Sequence, residues 1–297
     1  MTIVREPAVA GTFYDSSPTG LRKSIKESFL GPFGPGKLPR AGSEDNDNKR
    51  RDILAIISPH AGYYYSGYAA AAAFLEVAED GVPASAVIIG PNHHGIGASA
   101  AIMCEGAWRT PLGEAQIDTE LASAILKGSE YLRPDSSAHR LEHSLEVQVP
   151  FLQFISSNSA KIVPIAISVL TPEDSRIIVA DLSRAIASAL ADTDGIIIAS
   201  TDFTHNEPKA SAEEKDRLAI GAIKQLDAEK LLSTVEKYNI TMCGAVPTAV
   251  TIAASNELGA VDATLLKYYT SGDIIGNTSQ VVGYAAMKIA KSSLKEG

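Results

Sequence analysis

Two histidine motifs in this sequence occupy the same kind of position, directly after a short apolar run. Residues 53–60 are Ile-Leu-Ala-Ile-Ile-Ser-Pro-His, and residues 87–94 are Val-Ile-Ile-Gly-Pro-Asn-His-His. A third apolar run, residues 195–200, is followed by Asp202 and His205. Ligands of open α/β sheets bind beyond the carboxyl ends of the strands, so these three endings are candidates for one crevice. The alternative for each histidine is a ring satisfied by local hydrogen bonds at the start of a loop.

Imidazole is a common ligand of zinc, iron and copper, and His60 and His93 from neighbouring strand ends would supply one face of a coordination sphere. Spacing does not supply a third ligand, because neither a CxxC nor an HExxH pair occurs. Cys243 is a candidate, since it precedes a helix predicted to begin near Pro247, where helix-end amides favour thiolate over thiol. The alternative for Cys243 is a small buried hydrophobic residue, which is our prediction for Cys104.

A thiol-based catalytic pair of Cys243 with His205 is a further alternative. His143 and Glu146 lie one turn apart in a helix predicted over residues 143–155, so they share a face, as a supporting pair or a proton relay requires. We expect Glu142 to point away from that face. The alternative for this segment is the start of an amphipathic helix with solvated charges.

The elements that must position these residues alternate along the chain. The runs at residues 53–58, 86–90, 162–168 and 195–200 are almost wholly apolar, which is typical of strands covered on both faces. Helical patterns lie between and after them, at residues 67–79, 118–127, 172–191, 212–226, 228–237 and 247–257, before strand-like runs at 263–269 and 280–287. Thr171 to Asp174 is a capping signature for the helix that follows it. This order predicts an α/β fold, with helices on both faces of a mostly parallel or mixed sheet.

The composition restricts the class of protein. A chain of 297 residues with 45% hydrophobic content can bury a large core, and we expect a single domain over residues 1–297, with residues 31–51 as a surface loop. A formal net charge of -9 disfavours binding to nucleic acid or to an anionic membrane. No apolar run approaches the ~20 residues that span a bilayer. Two cysteines and the lack of a recognisable secretory signal lead us to expect a cytoplasmic protein.

Several separated motifs together resemble the MEMO family. They are Ala8-Val-Ala-Gly-Thr-Phe-Tyr14, Pro59-His-Ala-Gly-Tyr63, Gly90-Pro-Asn-His-His94, Arg109-Thr-Pro111, Glu142-His-Ser-Leu-Glu146, Ser200-Thr-Asp-Phe-Thr-His205 and Met242-Cys-Gly244. The resemblance runs in order from about residue 5 to about residue 288. It implies a fold like that of the class III extradiol dioxygenases, a three-layer sandwich around the central sheet.

The resemblance also implies roles for individual residues. The metal ligands would be His60, His93 and Cys243, with the cysteine in place of the glutamate of those dioxygenases, and His94 is the less favoured member of its pair. His205 would stand where they carry an acid/base histidine, with Asp202 beside it. His143 and Glu146 would line or support the same cavity. The chain departs from the family pattern at Asn92 and Asn206, and residues 43–51 resemble an insertion.

The expected function is a metal-dependent, dioxygenase-like redox enzyme whose substrate the sequence does not name. Iron or copper is the favoured metal, and zinc is possible. A thiolate in place of a carboxylate donates more electron density and favours softer ions, so ordinary extradiol ring cleavage is not expected. The competing hypothesis is a protein that uses the same pocket to bind a metal or a phosphorylated peptide without catalysis. The family resemblance further implies AMMECR-type and radical-SAM proteins as partners.

Overall fold

A computed structural model describes residues 3–39 and 51–292 of the chain. The central feature of these residues is a nine-stranded mixed sheet. A smaller three-stranded sheet is built near the N-terminus from β1, β5 and β6. The strands are β1 Val4–Arg5, β2 Ile53–Ser58, β3 Ser85–Pro91, β4 Ala100–Ile102, β5 Ala107–Thr110, β6 Gly113–Gln116, β7 Arg133–Pro134, β8 Lys161–Ile167, β9 Gly195–Ser200, β10 His205–Glu207, β11 Asp262–Thr270 and β12 Val281–Ala290.

The large sheet has its parallel strands at the centre. Its order is β10-β12-β2-β9-β3-β8-β4-β7, and β11 also pairs with β12. Strands β2, β9, β3 and β8 run parallel to one another, whereas β12 and β4 join them antiparallel. Every residue of β2 and β3 is buried, which requires cover on both faces of the sheet.

Helices supply that cover. They are α1 Pro18–Leu30, α2 Tyr63–Asp80, α3 Thr119–Gly128, α4 Gln148–Ser156, α5 Pro172–Leu190, α6 Lys209–Lys224, α7 Ala228–Tyr238, α8 Ala245–Glu257 and α9 Ser271–Ile275. Helix α2, with α1 and α4 beside it, packs against β2 and β12, and α8, with α5 and α7 beside it, packs against β9 and β3. The predicted α/β class, with a mixed sheet and helices around it, is confirmed. No helix within the described ranges has the length and apolarity needed to cross a membrane.

Most predicted elements agree with the structure to within a few residues, and the capping signature at Thr171 is confirmed because its side chain accepts a hydrogen bond from the Asp174 amide. Helix α4 is the exception, since it begins at Gln148 rather than at residue 143. The Ser144 carbonyl accepts from the Ser200 hydroxyl, and the Ser144 amide donates to the Glu142 carboxylate. These contacts hold residues 144–147 in turns rather than in the predicted helix.

Two further expectations concern loops and Cys104. Residues 31–39 form turns and bends, as predicted for a surface loop, whereas residues 40–50, and with them nearly all of the segment that resembles an insertion, lie outside the described residues. Cys104, for which we predicted a small buried hydrophobic residue, follows β4 and is only partly buried.

Candidate metal centre

The sheet brings the three predicted strand endings to one edge. Ser58 at the end of β2 is in register with Ser200 at the end of β9, and β9 also pairs in parallel with β3. His60 and His93 therefore leave the sheet on either side of the β9 ending that leads to Asp202. Parallel pairing is what aligns these carboxyl ends, so residues far apart in the sequence meet there.

Three side chains at this edge point donor atoms at a common volume. One donor atom from each of His60, His93 and Cys243 lies within 4.8 Å of the other two. The Cys243 Sγ atom is 3.2 Å from the Nε2 atom of His60. The rings of His60 and His93 are 5.3 Å apart and nearly perpendicular. His60 is only 2% exposed, whereas the His93 side chain is 31% exposed, so the group is open on the side of His93.

Hydrogen bonds fix which nitrogen of His60 carries the proton. The Nδ1 atom lies 3.0 Å from the Ser200 hydroxyl oxygen. That hydroxyl donates its only proton to the Ser144 carbonyl, so it must accept from His60 Nδ1–H. The Nε2 atom, which faces Cys243, therefore keeps a free lone pair.

The ring of His93 is held by Glu142, a residue that our sequence analysis expected to point away. The carboxylate accepts from the Nδ1 atom of His93 at 2.8 Å and from its backbone amide at 2.6 Å. Burial alone would raise the pKa of Glu142, but the hydrogen bonds from the His93 ring and from the Ser144 amide hold it well below its usual range. No spacing rule singled out Glu142, because this contact depends on how residues 141–147 turn after leaving the 3-10 helix at Ser137–His139.

Cys243 enters the site from the loop before α8. Its Sγ atom accepts from the backbone amide of Asp202 at 3.3 Å, and the next residue, Gly244, is the N-cap of α8. A Cβ atom on Gly244 would lie 2.5 Å from the Thr201 Cβ, so only glycine allows this close approach. The predicted stabilisation of the thiolate by helix-end amides is outweighed, because burial and the nearby charge of Asp202 raise the pKa of Cys243.

Asp202 and His205 lie next to this group. The Asp202 carboxylate accepts from the His60 backbone amide at 2.7 Å, and burial raises its pKa to about 6. The Nδ1 atom of His205 lies 2.8 Å from the Thr241 carbonyl, which can only accept, so Nδ1 carries the proton and Nε2 is free. When His205 takes up a second proton, its positive charge lowers the pKa values of both Asp202 and His60.

His143 stacks on the metal-ligand candidates. Its ring is 4.7 Å from that of His93 and nearly parallel to it, 5.5 Å from that of His60, and in contact with Phe13 on another side. Burial lowers the pKa of His143 to about 4, so the ring is neutral at pH 7. His143, His93 and Glu142 also form a group with metal-ligand spacing, but the oxygens of Glu142 already accept three N–H donors.

Glu146 occupies a different place from His143. Its carboxylate accepts hydrogen bonds from the Arg5 guanidinium, the Tyr14 hydroxyl and the backbone amides of Ala8 and Val9. Four donors therefore occupy the acceptor positions of its two oxygens. Glu146 instead anchors the N-terminal segment, which places Phe13 in contact with the ring of His143.

The donor set fits a transition metal. Two imidazole nitrogens and one sulfur, with both free nitrogens defined by hydrogen bonds, match the ligands that zinc, iron and copper accept. A bound cation would also oppose the effect of burial on Cys243, since metal coordination deprotonates a thiol. The fold and this group define a mixed α/β protein with a candidate His-His-Cys metal centre at the carboxyl edge of its central sheet.

Comparisons with known proteins give the family. The model of the family described as Memo-like protein matches residues 5–288, so the chain belongs to the Memo-like family. A MEMO1 family protein of Methanopyrus kandleri is 45% identical over 285 residues, covering 95% of this chain and 98% of the relative. Relatives of the same description from Methanothermobacter thermautotrophicus and Ignicoccus hospitalis are 46% and 43% identical, covering 95% and 96% of this chain and 99% and 98% of theirs.

Proposed function

We propose that this protein is a metal-dependent oxidoreductase of the dioxygenase-like type, with iron or copper as its metal. The observation that carries the proposal is the convergence of His60, His93 and Cys243 on one volume, with the free Nε2 atoms of both histidines defined by their partners. A redox-active ion held there would supply electron transfer and polarise a bound substrate oxygen. The thiolate ligand makes ordinary ring cleavage of catechols a poor expectation, because it donates more electron density than a carboxylate.

The residues around the metal group have separate tasks in this proposal. His205 moves a proton through its Nε2 atom, since its Nδ1–H is committed to the Thr241 carbonyl. Asp202 accepts a hydrogen bond from the His60 backbone amide and so fixes the chain between β2 and the side chain of His60. Its raised pKa suits a group that shares a proton near neutral pH. His143 stays neutral and packs its ring against that of His93.

The competing function is a protein that binds a metal or a phosphorylated peptide without catalysis. Among the described residues, the hydrogen bonds and ion pairs made by His60, His93, His143, Asp202 and Cys243 include no lysine or arginine partner. Phosphate recognition normally relies on such cations, so this arrangement favours the enzyme over the phosphopeptide binder.

Elemental analysis tests the metal part of the proposal. The chain is purified without oxygen and without nickel affinity resin, beside His60→Ala, His93→Ala and Cys243→Ala, with Cys104→Ala as the matched cysteine control. We expect about one iron or copper per chain in the native protein and in the Cys104 variant, and loss in the other three. Metal that survives Cys243→Ala, or zinc as the sole metal, would refute a redox centre with this ligand set.

Loss of His205 tests the catalytic part. His205→Ala should keep the metal, because among the described residues the His205 ring hydrogen-bonds to the Thr241 carbonyl and not to a proposed donor atom. Oxygen consumption with any reduced substrate that the native chain turns over should fall by roughly 10²–10⁴-fold. Unchanged turnover with metal bound would remove His205 from the mechanism, and a native chain with metal but no turnover of any substrate class would favour the binding protein.

A further inference from the structure

The two histidines of the candidate metal centre are held by partners of different charge. We propose that Glu142 is a positioning residue, which makes His93 an Nε2 donor and the stronger of the two imidazole ligands. The proposal rests on the metal-binding part of the proposed function and is independent of any redox step. It concerns a contact that the sequence did not reveal.

Glu142 holds both the backbone and the ring of His93. One carboxylate oxygen accepts the His93 amide at 2.6 Å, and the other accepts Nδ1–H at 2.8 Å and the Ser144 amide at 2.8 Å. The side chain of Glu142 is fully buried, so water does not compete for these bonds. Both oxygens of Glu142 already act as acceptors of backbone N–H groups, so Glu142 is the acceptor in this contact as well and the Nδ1 atom of His93 carries the proton. The lone pair on Nε2 is left for the metal.

His60 has the same tautomer, but through a neutral partner. The oxygen that accepts its Nδ1–H belongs to Ser200, and this oxygen also accepts from the side-chain amide of Gln148 at 2.8 Å. A carboxylate partner increases the basicity of an imidazole ligand more than a hydroxyl does, because negative charge stabilises positive charge that develops on the ring. The two imidazole donors are therefore unequal, with His93 the stronger.

Exposure makes His93 more dependent on its partner. The His60 ring is enclosed, whereas the His93 side chain is 31% exposed and lacks such packing on its open side. A partly exposed imidazole without a fixed partner loses rotamer freedom when it binds a metal, and that loss weakens the complex. Glu142 reduces this entropy loss, because it already holds the His93 ring with its Nε2 atom facing the metal position.

Tautomer measurements on the native chain test the first half of the proposal without any substitution. Long-range ¹H–¹⁵N spectra of metal-free protein with ¹⁵N-labelled histidine, at pH 7.5, distinguish a proton on Nδ1 from one on Nε2, and loss of the signals in His93→Ala assigns them. We expect His93 to be protonated on Nδ1. A His93 ring protonated on Nε2 would overturn the proposal.

Zinc affinity tests the second half, because zinc binding is measured by competition with a chromophoric chelator and needs no enzyme activity. We expect Glu142→Gln to weaken zinc binding by roughly 10–100-fold and Ser200→Ala to weaken it less. Asp181→Asn is the matched control, since Asp181 is also a buried carboxylate that accepts the backbone amides of Glu130 and Tyr131, away from the histidines.

The control separates a folding defect from a positioning defect. Asp181→Asn should lower the melting temperature and leave zinc affinity unchanged. Equal zinc affinity in the native and Glu142→Gln chains, or a larger loss in Ser200→Ala, would refute the role of Glu142. A native chain that shows the expected tautomer and binds no zinc would support the assignment of Glu142 and count against the metal function alone.

Discussion

The ion pair between Arg5 and Glu146 gives the most quantitative prediction for this protein. The Arg5 guanidinium donates to the Glu146 carboxylate, to the Glu142 carbonyl at 2.7 Å and to the His139 carbonyl at 2.9 Å. It also lies 4.3 Å over the ring of Trp108. Both charged side chains are almost completely buried. Arg5→Met keeps most of the side-chain volume but leaves the carboxylate of Glu146 without its counter-charge.

The magnitude follows from burial. Removing one partner of a buried ion pair costs about 3–5 kcal/mol, because the remaining charge stays desolvated. Arg176 is the matched control, since it pairs with Glu229 at 2.7 Å and Glu236 at 2.9 Å on the surface. Exposed pairs of this kind contribute about 1 kcal/mol or less, so Arg176→Met should have a small effect.

Urea unfolding followed by circular dichroism measures both variants against the native chain. The free energy of unfolding should fall several times further for Arg5→Met than for Arg176→Met. The double variant Arg5→Met/Glu146→Gln should recover part of the loss, because no unpaired charge remains buried. Equal effects of the two arginine substitutions, or no recovery in the double variant, would contradict the electrostatic explanation.

His139, Gly244 and Thr171 each affect stability through a single local feature. Burial and the charge of Arg5 lower the pKa of His139 to about 4, so the neutral ring stabilises the fold above pH 6.5 and this stability is lost as the pH falls towards 4. Between pH 7.5 and 5 the native chain should lose about 2 kcal/mol more stability in urea titrations than His139→Leu, and parallel curves would contradict this. Gly244→Ala should lower the free energy of unfolding by about 1–3 kcal/mol and weaken zinc binding. Gly221→Ala is its control, because a Cβ atom there meets nothing within 4 Å. It should be neutral or stabilising by up to about 1 kcal/mol. Thr171→Ala should cost about 1 kcal/mol in the same titrations through loss of the α5 cap, and an unchanged midpoint would argue against that cap.

Much of the fold was predictable because burial leaves a recognisable pattern of apolar residues in the sequence. Strands β2 and β9 were predicted with their observed bounds, because a strand covered on both faces needs an uninterrupted apolar run. Helix α5 was predicted to within one residue, because its cap and its apolar stripe are local properties of the chain. Helices α7 and α8 also lie close to their predicted bounds.

The predicted start of α4 was wrong, because it depends on tertiary contacts that local sequence patterns do not record. Helical spacing between His143 and Glu146 suggested one shared face, but the backbone groups of Ser144 are bound by Glu142 and Ser200. As a result His143 turns to the histidine rings, whereas Glu146 turns to the N-terminal segment. The prediction that both act in catalysis stays untested, and their contacts assign them different tasks.

The sequence by itself determined the class of fold, the family and the residues that could bind a metal, because residue types, apolar runs and motif order are properties of the chain alone. Only the tertiary structure decided that His93 is held by Glu142 and His60 by Ser200. It also decided that burial, rather than the α8 helix end, governs the thiol of Cys243. The His93 contact joins residues 49 positions apart and the His60 contact joins residues 140 positions apart. Their energies depend on distance and burial, which no local pattern of the sequence encodes.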